Sequence, residues 1–160
     1  MQGPYAVLFL CTGNSCRSQM AEALLRHLGG ERFQALSAGS HPAGYVHDLA
    51  LEAMRRMGVS TAGLYSKSWD EFAVTPIDIV LTLCDHAAGQ SCPVFPGPAV
   101  RAHWSLPDPA FAQGTDEQRL MFAMQVASRL RGWIEKLIRL PIEKLSPQQL
   151  RAELERIPRF

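Results

Sequence analysis

The sequence predicts an α/β domain built around a mostly parallel sheet. Short apolar segments alternate with longer segments in which apolar residues recur at helical spacing. The short segments are apolar without interruption, as expected of parallel strands that are buried on both faces. A chain of 160 residues with 47% hydrophobic and 19% charged content is long enough for one well-buried core and short for two. We therefore expect one compact domain.

Two strand–helix units are predicted in the first 60 residues. Each predicted helix carries one apolar stripe and is followed by glycine, which readily ends a helix. The predicted strands are residues 5–10 and 33–38, and the predicted helices are residues 18–28 and 49–57. The polar loop that begins at Cys11 therefore lies between a buried strand and a helix.

Two further strands are predicted in the second half. Residues 77–83 are apolar and rich in β-branched side chains, and residues 100–104 indicate a last strand. In open α/β sheets, ligands bind in the loops at the carboxyl ends of the strands. Cys11, Cys84 and Asp108 all follow predicted strands, so we expect them at one edge of the sheet.

Two helices are predicted near the end of the chain. Thr115 and Gln118 fit a capping box at the start of a long helix with a single apolar face. Ser146, Pro147 and Gln149 fit the cap, first position and third position of a short final helix.

Composition argues against several classes of partner. The formal net charge of +1 provides no broad attraction for nucleic acid or an anionic membrane. No apolar run reaches membrane-spanning length, and the first residues lack the pattern of a secretory signal. We therefore expect a cytoplasmic protein. There the cysteines at positions 11, 16, 84 and 92 are expected to be catalytic or metal-binding rather than structural.

Residues 11–18, with the sequence CTGNSCRS, predict an oxyanion-binding loop. Inward backbone N–H groups and the helix N-terminus can hold an anion there, and the guanidinium of Arg17 can bind two of its oxygens. The same field favours the thiolate of Cys11. The candidate oxyanion-binding residues are Thr12, Gly13, Asn14, Ser15, Cys16, Arg17 and Ser18.

The alternative for this loop is a buried core cysteine and a solvated arginine. The preceding strand, the glycine, the flanking serines and the following helix are in register, which favours the anion loop. Cys16 has no separate role that the pattern indicates, and we interpret it as a packed thiol.

The segment CTGNSCRSQMAE, residues 11–22, resembles the phosphate-binding loop and first helix of the low-molecular-weight tyrosine phosphatase superfamily, in the form used by its arsenate reductase branch. The similarity continues through residues 37–39 to residues 104–109, WSLPDP. It implies a three-layer α/β sandwich with a central, mostly parallel four-stranded sheet. Residues after about 140 lie outside the minimal family core. We expect a single domain over residues 1–160, with a C-terminal helical extension at about 141–160.

Asp108 is the candidate general acid. Pro107 and Pro109 restrict its backbone and can aim its carboxyl group into a site. In a phosphatase-like mechanism a carboxylic acid must protonate the leaving oxygen when the thiolate attacks. An ordinary Asp-Pro turn is the alternative. The Cys11 loop and the family resemblance together favour the acid.

Cys84 and Cys92 decide between the two chemistries of this superfamily. A phosphatase does not need them, whereas arsenate reduction requires two electrons, which a dithiol supplies on forming a disulfide. The resemblance implies that Cys11 forms a thiol–arsenate adduct, that Cys84 attacks Cys11 and expels arsenite, and that Cys92 attacks Cys84. Thioredoxin, or a glutaredoxin with a small thiol, is the expected electron donor.

Three alternatives remain for Cys84 and Cys92. A zinc site with His86 would lack a fourth ligand and the usual spacing, and a static disulfide is disfavoured by a reducing compartment. Two inert loop cysteines are the third alternative. The pair is separated by seven residues. This is one more than in typical thioredoxin-coupled members, and related proteobacterial sequences share the longer loop.

A potassium site found in thioredoxin-coupled members does not carry over directly. In those proteins it uses residues that match Asn14, Glu22 and Ser37, together with an aspartate. Lys67 stands at the aspartate position. A lysine there would repel a cation or replace it, which argues against potassium dependence. We expect no metal or other cofactor.

The sequence therefore predicts an arsenate reductase, with phosphatase activity as a side activity. The second hypothesis is a tyrosine or small-molecule phosphatase. Cys84 and Cys92, and the lack of an aromatic pair before Asp108, argue against it. An anion-binding or redox-sensing regulator is the third, although a mere binder would not need a leaving-group acid.

Overall fold

The centre of the structure is a four-stranded sheet. The computed structural model describes residues 4–83 and 99–159. The strands are β1 (Tyr5–Leu10), β2 (Phe33–Ala38), β3 (Ile79–Thr82) and β4 (Val100–His103), in the order β2-β1-β3-β4. Every neighbouring pair among them is parallel. The predicted α/β class and four-stranded sheet are confirmed.

Strand β1 lies in the interior of the sheet and is buried along its whole length. Because side chains alternate along a strand, Val7 and Phe9 enter the core on one face, while Leu8 and Leu10 enter it on the other. This double burial explains why the strand reads as a continuous apolar run. On the second face, Phe72 packs against the side chains of β1.

The helices that follow the strands pack mainly on the first face. They are α1 (Arg17–Gly29), α2 (Asp48–Arg56), α3 (Asp116–Ile138) and α4 (Pro147–Arg156). Helix α1 contacts β1 and β2, α3 contacts α1 and α2, and α4 contacts β4. The capping boxes predicted at Thr115 and Ser146 are confirmed. Within the described ranges, no helix is both long and apolar enough to cross a bilayer.

Trp104 joins the end of β4 to the two C-terminal helices. Its side chain is fully buried and meets Trp133 of α3 edge to face, with ring centroids 5.7 Å apart. Its indole N–H donates to the carbonyl oxygen of Leu154 in α4 at 2.9 Å. Helix α4 is therefore bound to the core at the point where the chain turns toward Asp108.

Backbone hydrogen bonds hold the carboxyl ends of three strands side by side. The N–H of Leu83, after β3, donates to Leu10 O of β1 at 2.8 Å. The N–H of Leu106, after β4, donates to Leu83 O at 3.0 Å. The segment that carries Asp108 therefore runs beside the loop that begins at Cys11.

Candidate active site

The loop between β1 and α1 lines a cavity of about 500 Å³ at this edge of the sheet. Two residues of the predicted loop, Asn14 and Ser18, are fully buried and are not among the lining residues. The sequence-predicted residues that line the cavity are Cys11, Thr12, Gly13, Ser15, Cys16, Arg17 and Asp108. The structure thus brings together the predicted nucleophile, anion clamp and acid.

The neighbouring segment, residues 41–47, orients the backbone of the loop. The N–H groups of His41, Ala43 and His47 donate to the carbonyl oxygens of positions 12, 13 and 15 at 2.9, 2.8 and 2.8 Å. In a planar trans peptide the N–H points opposite to the C=O. The amide hydrogens that follow these carbonyls are therefore turned away from this segment, as an anion nest requires.

Asn14 stabilises the bend of the loop. Its φ of 46° lies in the left-handed region, where asparagine is one of the better tolerated residues. The side-chain amide donates to Ser18 Oγ at 2.8 Å and to Ser37 Oγ at 3.0 Å. Its oxygen accepts from the backbone N–H of Lys67 at 2.9 Å. With these partners the unusual conformation is fixed by buried hydrogen bonds.

Cys11 faces a hydroxyl group whose orientation follows from the same network. Ser18 Oγ lies 2.9 Å from Cys11 Sγ, and both residues are buried. Since Ser18 Oγ already accepts a hydrogen bond from Asn14, its own proton is available to Sγ. The Ser18 hydroxyl can therefore donate a hydrogen bond to the sulfur of Cys11.

Arg17, the predicted anion clamp, makes two contacts through the terminal nitrogens of its guanidinium. Nη1 donates to Leu106 O at 2.9 Å, and Nη2 donates to Asp108 Oδ2 at 3.2 Å. Nε is buried and has no hydrogen-bond partner in the part of the chain that the structure describes. A buried N–H without a partner is costly, and Nε lies on the same edge of the guanidinium as Nη2, which suits the predicted binding of an oxyanion.

Asp108 both caps a local turn and lines the cavity. Its Oδ1 accepts from the N–H of Ala110 at 3.0 Å and so caps the short 3-10 turn Pro109–Phe111. Its Oδ2 faces Arg17. The local Asp-Pro turn and the place in the site, which the sequence offered as alternatives, are therefore present together.

Cys16 has a different character from Cys11. Its side chain is 2% exposed, and burial, with the charges of Asp108 and Cys11, raises the pKa of the Cys16 thiol to about 12. A thiol with this pKa is protonated at neutral pH and is a poor nucleophile. The prediction of a packed thiol therefore fits its environment.

Of the five cavity-lining residues that the sequence analysis missed, three have large side chains. Tyr45, His47 and Phe111 line the mouth of the cavity, and the two aromatic rings are largely exposed. His47 Nδ1 accepts from the N–H of Leu49 and caps α2. None of the three belongs to an apolar stripe or to a motif, and only the cap position of His47 offered a weak local signal.

A buried charged cluster lies behind the loop. Glu22, Ser37 and Lys67 are each less than a tenth exposed. Lys67 Nζ lies 3.5 Å from Glu22 Oε1, and Ser37 Oγ donates to the same carboxylate oxygen at 2.7 Å. The positions that match the family's potassium ligands are thus adjacent, with an ammonium group among them. Cys84, His86 and Cys92 lie outside the described residues.

The sequence is similar to those of known proteins. A model of the low molecular weight phosphotyrosine protein phosphatase family matches residues 6–148. An arsenate reductase from Halalkalibacterium halodurans is 42% identical over 113 residues, which are 71% of this chain and 80% of that protein.

Solved structures show the same fold. An arsenate reductase in its phosphate-binding state aligns with a TM-score of 0.67 and 29% identity, over 84% of this chain and 96% of that one. A thioredoxin-dependent arsenate reductase from Corynebacterium glutamicum aligns with a TM-score of 0.59 and 30% identity, over 84% of this chain and 62% of the other.

Proposed function

We propose that this chain, which belongs to the low molecular weight phosphotyrosine protein phosphatase family, is an arsenate reductase. The observation that carries the proposal is one cavity lined by both Cys11, which has a hydroxyl partner, and Arg17, whose buried Nε–H has no hydrogen-bond partner among the described residues. A tetrahedral oxyanion satisfies that N–H and presents its central atom to the sulfur. The 42% identity to an arsenate reductase favours arsenate as the oxyanion.

In the first step, Cys11 thiolate attacks arsenic and an arsenate oxygen leaves. Arg17 and the loop amides bind the remaining oxygens and stabilise their charge. Asp108 protonates the departing oxygen, which leaves as water. The product is a covalent Cys11–arsenate adduct, with arsenic still in its oxidised state.

In the second step, Cys84 thiolate attacks the sulfur of Cys11. The electron pair of the sulfur–arsenic bond passes to arsenic, which leaves as arsenite, and a Cys11–Cys84 disulfide forms. Cys92 then attacks Cys84, releases Cys11 and leaves a Cys84–Cys92 disulfide. An external dithiol restores the reduced protein, so two electrons enter for each arsenate reduced.

Support for the second step comes from the strand ends. Leu83 directly precedes Cys84 and donates its N–H to the carbonyl oxygen of Leu10, which directly precedes Cys11. The chain thus enters the Cys84 segment beside the nucleophile. A thioredoxin-type dithiol is the proposed donor, by analogy with the thioredoxin-dependent relative. We place the reaction in the cytosol, which keeps thiols reduced.

Hydrolysis of aryl phosphates is a second candidate activity, favoured by the mouth of the cavity. The cavity of about 500 Å³ is larger than a single oxyanion needs, and Tyr45 and Phe111 provide exposed aromatic walls. A phosphate ester with an aromatic group would place its ring between them. The same Cys11, Arg17 and Asp108 would serve both reactions.

The decisive experiment compares the two activities in purified protein. Consumption of reductant with arsenate, in the presence of thioredoxin and its reductase, is measured beside hydrolysis of p-nitrophenyl phosphate. We expect arsenate turnover to dominate and Cys11→Ser to abolish both activities, because a neutral hydroxyl cannot replace the thiolate. Phosphatase activity without arsenate-dependent consumption of reductant would reject the reductase.

A further inference from the structure

The cation in the buried cluster behind the anion loop is a protein side chain, the ammonium group of Lys67. Lys67 is 8% exposed, and its ammonium group has an oxygen for each of its three protons. Nζ donates to Tyr65 O at 2.8 Å and lies 3.5 Å from both Ser37 Oγ and Glu22 Oε1. It also lies 4.3 Å from the centre of the Tyr65 ring, within reach of a cation–π contact.

A potassium ion does not fit among these residues. The oxygens of Glu22, Ser37 and Tyr65 that such an ion would use already surround the ammonium group. A second cation at this distance would be repelled by Lys67 in a weakly screened interior. The potassium site implied by the family resemblance is therefore replaced by a side chain.

The cluster is connected to the nucleophile by an unbroken series of hydrogen bonds. Ser37 Oγ donates to Glu22 and accepts from the side-chain amide of Asn14 at 3.0 Å. That amide also donates to Ser18 Oγ, which lies 2.9 Å from Cys11 Sγ. The backbone N–H of Lys67 returns to Asn14 Oδ1 at 2.9 Å. Lys67 thus contacts Asn14 directly through its backbone N–H and indirectly through Ser37.

We propose that Lys67 is a positioning residue that acts as a built-in cation, so that the anion loop is organised without a monovalent metal ion. The ammonium compensates the buried carboxylate of Glu22, and the compensated carboxylate accepts the proton of Ser37. Ser37 in turn fixes Asn14, and Asn14 fixes the hydroxyl that faces Cys11. Among the described residues, removal of the cation would leave Glu22 with Arg26, at 3.8 Å, as its one paired charge.

The test uses readouts that do not depend on arsenate reduction. They are the melting temperature, the dissociation constant of inorganic phosphate, and the rate at which iodoacetamide labels Cys11 at neutral pH, followed by peptide mass spectrometry. Phosphate binding and the labelling of Cys11 can be measured whether or not the protein reduces arsenate. Failure of the reductase assay alone would therefore leave these three results interpretable.

For the wild-type protein, we expect the same values in potassium chloride and in tetramethylammonium chloride of equal ionic strength. Lys67→Met should lower the melting temperature by about 5 to 10 °C, because breaking a buried pair leaves an uncompensated charge. It should also weaken phosphate binding by about tenfold and slow the labelling of Cys11. Lys144→Met, at an exposed lysine, is the matched control and should change none of these.

Lys67→Asp provides the complementary measurement. With an added carboxylate in place of the ammonium, the cluster should become a cation site, and potassium chloride should then restore part of the stability and phosphate affinity that tetramethylammonium chloride does not. Three results would overturn the inference: a wild-type protein stabilised by potassium, a Lys67→Met protein with unchanged phosphate affinity and labelling, or a Lys67→Asp protein that responds equally to both salts.

Discussion

Arg17 and Asp108 form an ion pair at the cavity, with Nη2 and Oδ2 3.2 Å apart across a separation of 91 positions in the chain. Leu106 O accepts from the other side of the same guanidinium at 2.9 Å. The predicted anion clamp and the proposed acid therefore fix each other's position. An oxyanion that binds Arg17 must compete with the Asp108 carboxylate for Nη2. An oxygen of the anion bound at Nη2 would therefore lie next to the proposed acid.

Asp108→Asn separates these two roles of the carboxyl group. The amide oxygen can still accept from Ala110 and preserve the turn, but the side chain can no longer act as an acid. We expect kcat for p-nitrophenyl phosphate to fall by about 100-fold or more. Phosphate binding should be retained, since Arg17 loses a competitor. Isothermal titration and steady-state kinetics check this, and an unchanged kcat would contradict the acid role.

Gly39→Ala should disturb the backbone of the anion loop at Cys11 and Thr12. A Cβ at position 39 would lie 2.5 Å from Thr12 O and 2.8 Å from Cys11 O, and both obstacles are backbone atoms. We expect a loss of about 1–3 kcal/mol in the free energy of unfolding, as for other overpacked sites. Phosphate binding should weaken as well, because the loop carbonyls must move.

Gly132→Ala is the control for that substitution. Gly132 lies within α3, and a Cβ there would meet nothing within 4 Å. Alanine should therefore stabilise the protein by about 0.5–1 kcal/mol through helix propensity. Urea unfolding of both variants provides the comparison. Equal stability of the two variants would show that Gly39 is not tightly packed against the loop.

Local features of the site were predictable because they depend on residues close together in the chain. The loop at 11–18 stands between a strand and a helix, and the capping boxes at Thr115 and Ser146 need only three-residue spacing. The Arg17–Asp108 ion pair was not predicted, because it depends on the order of the strands. The hydrophobic periodicity of the sequence does not predict which strands are neighbours in the sheet.

Other features had a weak sequence signal or none. The cavity walls formed by Tyr45, His47 and Phe111 belong to loops, where neither periodicity nor composition predicts direction. Strand β3 is shorter than predicted and begins at Ile79 rather than at residue 77. The strand is preceded by Asp78, whose carboxylate accepts the N–H of Ala6 at 2.8 Å.

The buried Cys16 thiol predicts a loss of stability in alkali. Its pKa is about 12 in the folded protein, whereas a thiol in an unfolded chain has a pKa of about 8.5. Between these values the unfolded state releases a proton that the folded state retains, so stability falls as pH rises. The contribution of Cys16 should cost about 1.4 kcal/mol per pH unit above about pH 9.

Cys16→Ala isolates this effect from the other groups that titrate in alkali. Urea unfolding of both proteins from pH 7 to pH 10.5 should show the wild type losing stability more steeply than the variant above about pH 9. The two curves should run parallel below about pH 8, where both states keep the thiol protonated. Parallel curves up to pH 10.5 would contradict the buried, protonated thiol.

The redox relay predicts two different failures for two conservative substitutions. Cys84→Ser and Cys92→Ser should each stop multiple turnover with arsenate, yet leave hydrolysis of p-nitrophenyl phosphate largely intact, because only the relay uses those thiols. Without Cys92, one round can still release arsenite and end in a Cys11–Cys84 disulfide.

Without Cys84, the Cys11–arsenate adduct lacks the thiol that the relay assigns to its displacement, so little arsenite should appear. Treatment with stoichiometric arsenate, followed by quantification of arsenite and mass spectrometry of the cysteine peptides, distinguishes the two variants. Cys16→Ser is the matched control, since a protonated, buried thiol should take no part in the exchange. If both relay variants turned over arsenate at the wild-type rate, the chain would reduce arsenate by another route, and the phosphatase reaction would become the better account of Cys11.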